Sequence, residues 1–259
     1  MEWDTDADAA VRKVPFFVRP KVKKRLEAFV KDQGRTRVTL ADVEALKKKF
    51  LSKGGMEKEI RGYEVTSCFS GGKCPNAVQV GTELAADIEK IMAEADLFGF
   101  LKSRVKGDLK FHHEFKVVIA DCPNACSRPQ IADIGIIGAD QPGVGEECCS
   151  QCGACETACP DDAVTLTEEG PTIDFNSCLS CGKCIRVCPT GTLETAQAGF
   201  RVFLGGRLGR HPRLAMEVPG ILSHADVLAL VEKCLAFYKA NSDRGQRFSH
   251  LIDSVDDVL

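Results

Sequence analysis

Apolar residues recur at helical spacing in four stretches of the chain. Val22, Leu26, Phe29 and Val30 make the first stripe, and Gly34 lies just past its expected end. Thr39 stands before Ala41-Asp42-Val43 in a Ser/Thr-x-x-Asp/Glu capping pattern, which predicts a second helix burying Val43, Leu46 and Phe50. Leu84, Ile88, Ile91 and Ala95 stripe a third. A long fourth starts near Ala225 behind a Ser223 cap, with Val227, Leu228, Val231, Leu235 and Tyr238 on its inner face. Between them, Phe115-Lys116-Val117-Val118-Ile119-Ala120, Ile134-Gly135-Ile136-Ile137-Gly138 and Phe200-Arg201-Val202-Phe203-Leu204 are short enough to be strands, the last stopped by Gly205-Gly206. The class this predicts is α+β.

Charge divides what periodicity leaves continuous. Residues 1–53 hold 14 Lys/Arg against 8 Asp/Glu, whereas residues 146–195 hold 2 against 9 together with nine of the fourteen cysteines. The expected modules are a helical domain at 1–53, then 54–145, 146–195 and 196–259, with breaks at Ser52-Lys53-Gly54-Gly55 and Gln141-Pro142-Gly143-Val144-Gly145. The basic runs of the first module are either a solvated face or a docking surface for an acidic partner. A net charge of −3 gives no reason to expect nucleic acid. No apolar run reaches the ~18 residues of a membrane span. Met1-Glu2-Trp3-Asp4 opens no secretory signal, so a cytoplasmic location is expected, where cysteines stay reduced.

The cysteines then turn toward metal chemistry. Cys149-x2-Cys152-x2-Cys155-x3-Cys159-Pro160 is repeated as Cys178-x2-Cys181-x2-Cys184-x3-Cys188-Pro189. This is the run of the bacterial two-cluster ferredoxins, in which the fourth cysteine serves the other cluster. One 4Fe-4S cluster is therefore expected on Cys149, Cys152, Cys155 and Cys188, and the second on Cys178, Cys181, Cys184 and Cys159. Zinc wants only four ligands and leaves two complete runs unexplained. Upstream, Cys68-x5-Cys74-Pro75 and Cys122-Pro123-Asn124-Ala125-Cys126 offer four more thiolates, enough for a third cluster. If the second pair opens a helix, its two sulfurs share a face. Cys148 and Cys234 remain as structural thiols.

The pair Cys68-x5-Cys74 followed by Asp121-Cys122-Pro123-Asn124-Ala125-Cys126-Ser127-Arg128-Pro129-Gln130 resembles the cluster signature of siroheme-dependent sulfite and nitrite reductases, of the dissimilatory and anaerobic type with a ferredoxin insert. The resemblance continues through Phe203-Leu204-Gly205-Gly206-Arg207-Leu208-Gly209-Arg210-His211-Pro212-Arg213 and Arg247-Phe248-Ser249-His250-Leu251-Ile252-Asp253, covering roughly residues 60–259. It implies a siroheme-reductase-like α/β half domain (54–145 and 196–259) interrupted by a dicluster ferredoxin (146–195). It also implies a 4Fe-4S cluster on Cys68, Cys74, Cys122 and Cys126, with Cys126 bridging to siroheme. That macrocycle is rich in carboxylates. Close main-chain approach at Gly205 and Gly206 and the guanidinium forks of Arg207, Arg210 and Arg213 suit it; a solvated arginine loop is the plain alternative. Lys116 and Arg128 are the candidate catalytic cations. Separately, Trp3, Val14-Pro15-Phe16-Phe17-Val18-Arg19, Glu27-Ala28-Phe29 and Val38-Thr39-Leu40 resemble the small helical domain that ends the light-independent protochlorophyllide reductase B subunit.

Two departures qualify the resemblance. Enzymes of this family consist of two related halves, and one is present, so a homo- or hetero-oligomer is expected to supply the other. Where the family carries Lys-x-Lys, this chain has Glu114-Phe115-Lys116, and a carboxylate on Lys116's side of a strand repels an oxyanion. His112 and His113 flank that face. The expected function is an iron–sulfur redox protein. An external donor, ferredoxin or a reductase subunit, would deliver electrons through the ferredoxin insert to a siroheme-coupled centre reducing a small oxyanion, sulfite before nitrite. The alternative is an electron-transfer protein with three 4Fe-4S clusters and no siroheme, acting as a subunit or partner of a reductase. A siroheme-handling or assembly subunit is the third reading.

Overall fold

The computed structural model describes the chain apart from Pro15, Phe17, residues 53–59 and Ser70, and apart from the side chains of residues 49–52. The expected burial of Phe50, the break at Lys53-Gly54-Gly55 and two residues of the N-terminal resemblance, Pro15 and Phe17, lie outside the described residues. Contacts divide the chain into Met1–Ile60 and Arg61–Leu259.

The first unit contains β1 (Glu2–Trp3), α1 (Thr5–Arg12), α2 (Arg19–Lys31), β2 (Arg37–Val38) and α3 (Leu40–Ser52), with β1 and β2 paired in parallel. Leu26 and Val30 of the predicted stripe close on Ala7, Val11 and Val38; Trp3, Val22, Phe29, Val43 and Leu46 pack around them. The Thr39 cap is reciprocal. Its main-chain N–H donates to Asp42 Oδ2 at 2.9 Å, and its hydroxyl accepts from the Asp42 N–H at 3.4 Å. Asp42 is also gripped by the Arg35 guanidinium, which together with Thr39 holds its carboxyl down at about 2.

The second unit is built on a five-stranded mixed sheet. Its strands are β3 (Tyr63–Thr66), β4 (Phe115–Ala120), β5 (Ile134–Val144), β8 (Leu193–Leu204) and β9 (Met216–Glu217), and they lie side by side in that order. β3, β4 and β5 run parallel, and β8 and β9 return antiparallel. Alternation in β4 sends Phe115, Val117 and Ile119 inward, all at most 2% exposed. The longer helices of this unit are α4 (Thr82–Glu94), α5 (Leu97–Arg104) and α8 (His224–Asn241). α8 carries the predicted Ser223 cap as a full capping box with Asp226 and buries Val227, Leu230, Val231, Cys234, Leu235 and Tyr238. The Phe115 ring lies 5.2 Å from that of Tyr238 and 5.4 Å from that of Phe248, locking α8 and the C-terminal segment to the sheet.

Two strands are much longer than their apolar runs. β5 continues to Val144 and β8 begins at Leu193, so the pair leaves the sheet as a ribbon, with a register shift between Gln141 and Pro142. Glu194 to Ala198 are exposed and lack the alternation that marks a half-buried strand, so this stretch is held mainly by main-chain pairing, with one side-chain bond from Gln197 to the Ile221 carbonyl at 2.7 Å. The ribbon carries the cysteine-rich segment at its tip: α6 (Ala154–Ala158), the hairpin of β6 (Val164–Thr167) and β7 (Gly170–Ile173), and α7 (Lys183–Val187).

Candidate functional site

The two cysteine runs fold as copies of each other. In the first, Gln151 and Gly153 take positive φ of 58° and 71°; in the second, Ser180 and Gly182 take 57° and 64° at the same places. Each left-handed pair turns the chain back so that three sulfurs of a run face one side, and a short helix (α6 or α7) follows. Main-chain N–H groups aim at the sulfurs: Gln151 at Cys149 and Ser180 at Cys178, both 3.4 Å, Ala163 at Cys159, 3.2 Å, and Leu193 at Cys188, 3.4 Å. Such donors stabilise thiolate charge.

Two cavities result. One, of about 270 Å³ including its mouth, is lined by Cys149, Cys152, Cys155 and Cys188. The other, about 300 Å³, is lined by Cys159, Cys178, Cys181 and Cys184. The fourth cysteine of each run thus lies in the other run's cavity. Burial, then repulsion from Cys178, Cys181 and Cys159, pushes the Cys184 thiol up to about 11. For Cys188 burial works upward too, but the Leu193 N–H, the Thr190 hydroxyl and neighbouring N–H groups outweigh it and bring the thiol down to about 7. A single zinc ion would draw its sulfurs to within ~4 Å of each other. Sulfurs spread around a cavity suit a polynuclear cluster.

A third group of four cysteines gathers beyond the C-terminal ends of two strands. β3 and β4 are parallel neighbours, so Cys68 and Cys122, each two residues beyond its strand, emerge together. Cys74 and Cys126 complete the group. Burial, reinforced by repulsion from Cys74, Cys126 and Cys68, raises the Cys122 thiol. Asp121 ties the two loops: its carboxylate accepts the Gly81 N–H at 3.1 Å, and its carbonyl accepts those of Val78 and Gln79 at 3.0 and 3.1 Å. The helix expected from Cys122 to Cys126 does not form. Ala125 (φ 51°) and Arg128 (φ 65°) instead make a left-handed loop, and the Ser127 hydroxyl bonds the Ile119 carbonyl at 2.8 Å. Cys122 is buried, Cys68 and Cys74 are half-buried, and Cys126 is exposed.

The arginine loop is a correction in part. Arg213 donates to the carbonyls of Gly205, Ser249 and Ile252 at 2.8 to 3.2 Å. Arg207 donates to those of His211 and Ser249 at 2.9 and 2.5 Å. Both guanidinium groups staple residues 205–213 to the C-terminal segment rather than offering free forks to carboxylates. The glycines have the same explanation: a Cβ on Gly205 (φ 79°) would strike Arg213 and Ile252, and one on Gly206 the main chain of residues 130–132. Arg128 and Arg210 are exposed and have no side-chain partner among the described residues.

Lys116 and Glu114 also sit otherwise than expected. β4 starts at Phe115, so Glu114 precedes the strand; it is 6% exposed and accepts the Arg61 N–H at 3.1 Å. Burial raises its carboxyl. Lys116 is opposite Glu64 in the β3–β4 register and forms an ion pair with it. The neutralising carboxylate is real, but it comes from the neighbouring strand, 52 residues away. Cys234 is buried in α8 and its thiol is pushed up to about 12, in keeping with a structural role. Cys148 is exposed, not a packed structural thiol.

Two groups escaped sequence reading. Arg201 bonds the Leu179 carbonyl at 3.2 Å and Glu217 at 2.5 and 2.7 Å. Asp133, 1% exposed, accepts the Lys116 N–H and an Arg247 N–H, each at 3.0 Å. Their partners lie 16 to 114 residues away in sequence, beyond any local signal.

A family model described as "Nitrite and sulphite reductase 4Fe-4S domain" matches residues 61–256. Another, "Proto-chlorophyllide reductase 57 kD subunit", matches residues 3–47. The chain is 35% identical over 181 residues to the coenzyme F420-dependent sulfite reductase of Methanocaldococcus jannaschii, covering 70% of this chain and 27% of that protein. It is 30% identical over 105 residues to a subunit of the anaerobic sulfite reductase of Salmonella typhimurium, covering 40% and 26% respectively. It therefore aligns with about a quarter of the length of each relative. The crystal structure of dissimilatory sulfite reductase I matches with a TM-score of 0.50 at 15% identity, covering 74% of this chain and 49% of that one, which shows a shared fold. No described helix is long and apolar enough to cross a membrane.

Proposed function

The chain belongs to the nitrite and sulphite reductase 4Fe-4S domain family, and on that premise we propose that it is a three-cluster redox protein presenting one side of a siroheme site. In this reading residues 1–53 are a helical module, residues 146–195 a dicluster ferredoxin, and 54–145 with 196–259 the half domain it interrupts. The three cysteine quartets hold 4Fe-4S clusters. The observation that carries the reading is the quartet at the ends of β3 and β4, in which Cys126 alone is exposed.

When bound, the clusters and siroheme supply the electron-transfer and oxyanion-reducing chemistry, fed by an external donor and, from the relatives' names, directed at sulfite. The chain's own residues have separate tasks. Cys126 and Arg128 are both exposed in one short loop, and Arg210 adds a second free cation to meet a carboxylate-rich macrocycle. Arg207 and Arg213 hold the loop that presents Arg210. Arg128 and Arg210 by themselves leave most macrocycle carboxylates unmet, so a second copy of the chain or a different reductase subunit fills out the site. Lys116, on the open face of β4, is the cation for the oxyanion, weakened by Glu64.

The siroheme-free electron-transfer reading draws support from one observation, the commitment of Arg207 and Arg213 to carbonyl oxygens. Anaerobically purified protein decides between the two. About twelve irons per chain, four for each four-cysteine site, with a stoichiometric siroheme in the pyridine extract, is the expected result. Twelve irons without siroheme selects the electron-transfer protein, and about eight removes the third cluster.

A prediction follows for Lys116. Exposed ion pairs are worth up to ~1 kcal/mol, so Glu64→Gln is expected to tighten sulfite binding to siroheme-loaded protein by up to about fivefold. Glu114→Lys, which places an ammonium in a buried site facing the Arg61 N–H, is expected to lower the yield of folded protein instead. Unchanged sulfite affinity in Glu64→Gln would place Lys116 outside the anion site.

A further inference from the structure

One side chain touches the surroundings of two cysteine quartets. Arg201, on β8, donates from Nη1 to the carbonyl of Leu179 at 3.2 Å. Leu179 follows Cys178 and lines the cavity of Cys159, Cys178, Cys181 and Cys184. In the other direction, the Arg201 guanidinium lies 5.4 Å from the centre of the Phe203 ring. Arg201 and Phe203 are two apart on a strand and share its face. Phe203 packs in one cluster with Ala120, Ala125 and Ile137, and Ala125 sits between Cys122 and Cys126. A bidentate bond to Glu217 at 2.5 and 2.7 Å fixes the guanidinium plane, and the Arg201 side chain is only 16% exposed.

We propose that Arg201 is a positioning residue for electron transfer between the second-run quartet and the quartet of Cys68, Cys74, Cys122 and Cys126, a role that rests on the cluster reading above. One electron leaves the group held by Cys159, Cys178, Cys181 and Cys184 and arrives at the group held by the other four cysteines. It was delivered by an external one-electron carrier, and no proton moves and no bond is made or broken. Arg201 contributes twice. It ties the cysteine-rich segment to the sheet through Leu179, which fixes the separation and the packed path through Phe203 and Ala125. It also sets a cation beside the second-run site, where positive charge favours the more negative, reduced state and so raises its potential. Glu217 offsets part of that charge while holding the geometry.

The two contributions have opposite signatures. In whole protein loaded with clusters, Arg201→Ala is expected to keep its iron near the wild-type count. Its second-run potential should fall, and reduction of the third cluster by reduced methyl viologen should slow at least about tenfold, the scale of outer-sphere substitutions around metal sites. Arg201→Lys is expected to restore the potential but not the rate, because an ammonium keeps the charge and loses the fork. Glu217→Gln removes only the counter-charge, and the same potential should rise; this variant carries the test should Arg201→Ala fail to fold. Potentials come from redox titration followed by electron paramagnetic resonance, and rates from stopped flow. Full iron content with unchanged rate and potential in both Arg201→Ala and Glu217→Gln overturns the proposal alone. Wild-type iron near eight per chain overturns the three-cluster reading and the proposal with it.

Discussion

Replacing Cys188 by Ala is expected to cost the protein the cluster of Cys149, Cys152 and Cys155, and to spare the cluster of its own run. Cys188 lies in the first run's cavity, whereas the second run's cavity takes its fourth sulfur from Cys159. The Leu193 N–H and the Thr190 hydroxyl favour thiolate at Cys188, so the variant loses a ligand already suited to bind iron. Iron should drop from about twelve to about eight per chain, four being lost with one cubane. Cys159→Ala is the mirror experiment and should remove the other signal. Resonance spectra of the two variants, each reduced stepwise, make the comparison. Loss of the Cys178, Cys181 and Cys184 signal in Cys188→Ala would mean that each run binds its own cluster.

Asp133→Ala is expected to be strongly destabilising. Asp133 stands just before β5, receives the Lys116 N–H of β4 through its carboxylate, and receives the Gly205 N–H through its carbonyl at 2.8 Å. Its ion pair with Arg247 anchors the C-terminal segment, which Arg207 and Arg213 also clamp. Burial pushes the carboxyl up, and Arg247, the Lys116 N–H and the Lys116 charge work against that. Removing it strands a largely buried guanidinium, a change that costs ~3–5 kcal/mol when one partner of a buried pair is deleted. In a chain of this size the melting temperature should drop by at least about 6 °C. Asp133→Leu combined with Arg247→Leu should recover much of the loss, since no charge is then left unpaired. Anaerobic thermal unfolding of both variants, with the iron content checked, measures this. A shift below about 2 °C in Asp133→Ala would show that water, rather than Arg247, meets the carboxylate.

Several features are legible in the order of residues alone. The two cysteine runs and their repeat are written in spacing, because a tight loop of Cys-x2-Cys-x2-Cys has few ways to present three sulfurs to one centre, and the fourth cysteine of each run lines the other run's cavity as that pattern leads one to expect. α2, α8 and β4 were legible for a related reason: their inner faces follow the period of a single element, as Leu26 and Val30, Val231 and Leu235, and Phe115 and Val117 show. The resemblance of residues 61–256 to the reductase domain could likewise be read from motifs. The tertiary structure alone decided partners. Arg207 and Arg213 looked like free forks until Ser249 and Ile252 came within reach, 36 to 42 residues on. Lys116 met Glu64 and not Glu114 because strand register, set across 52 residues, puts Glu64 opposite it. The long ribbon of β5 and β8 left no periodic trace, since Glu194 to Ala198 bury no face and pair through main-chain hydrogen bonds that most sequences can make. Local chemistry fixes which side chains stand together along an element, but only the packing of elements fixes what each of them faces.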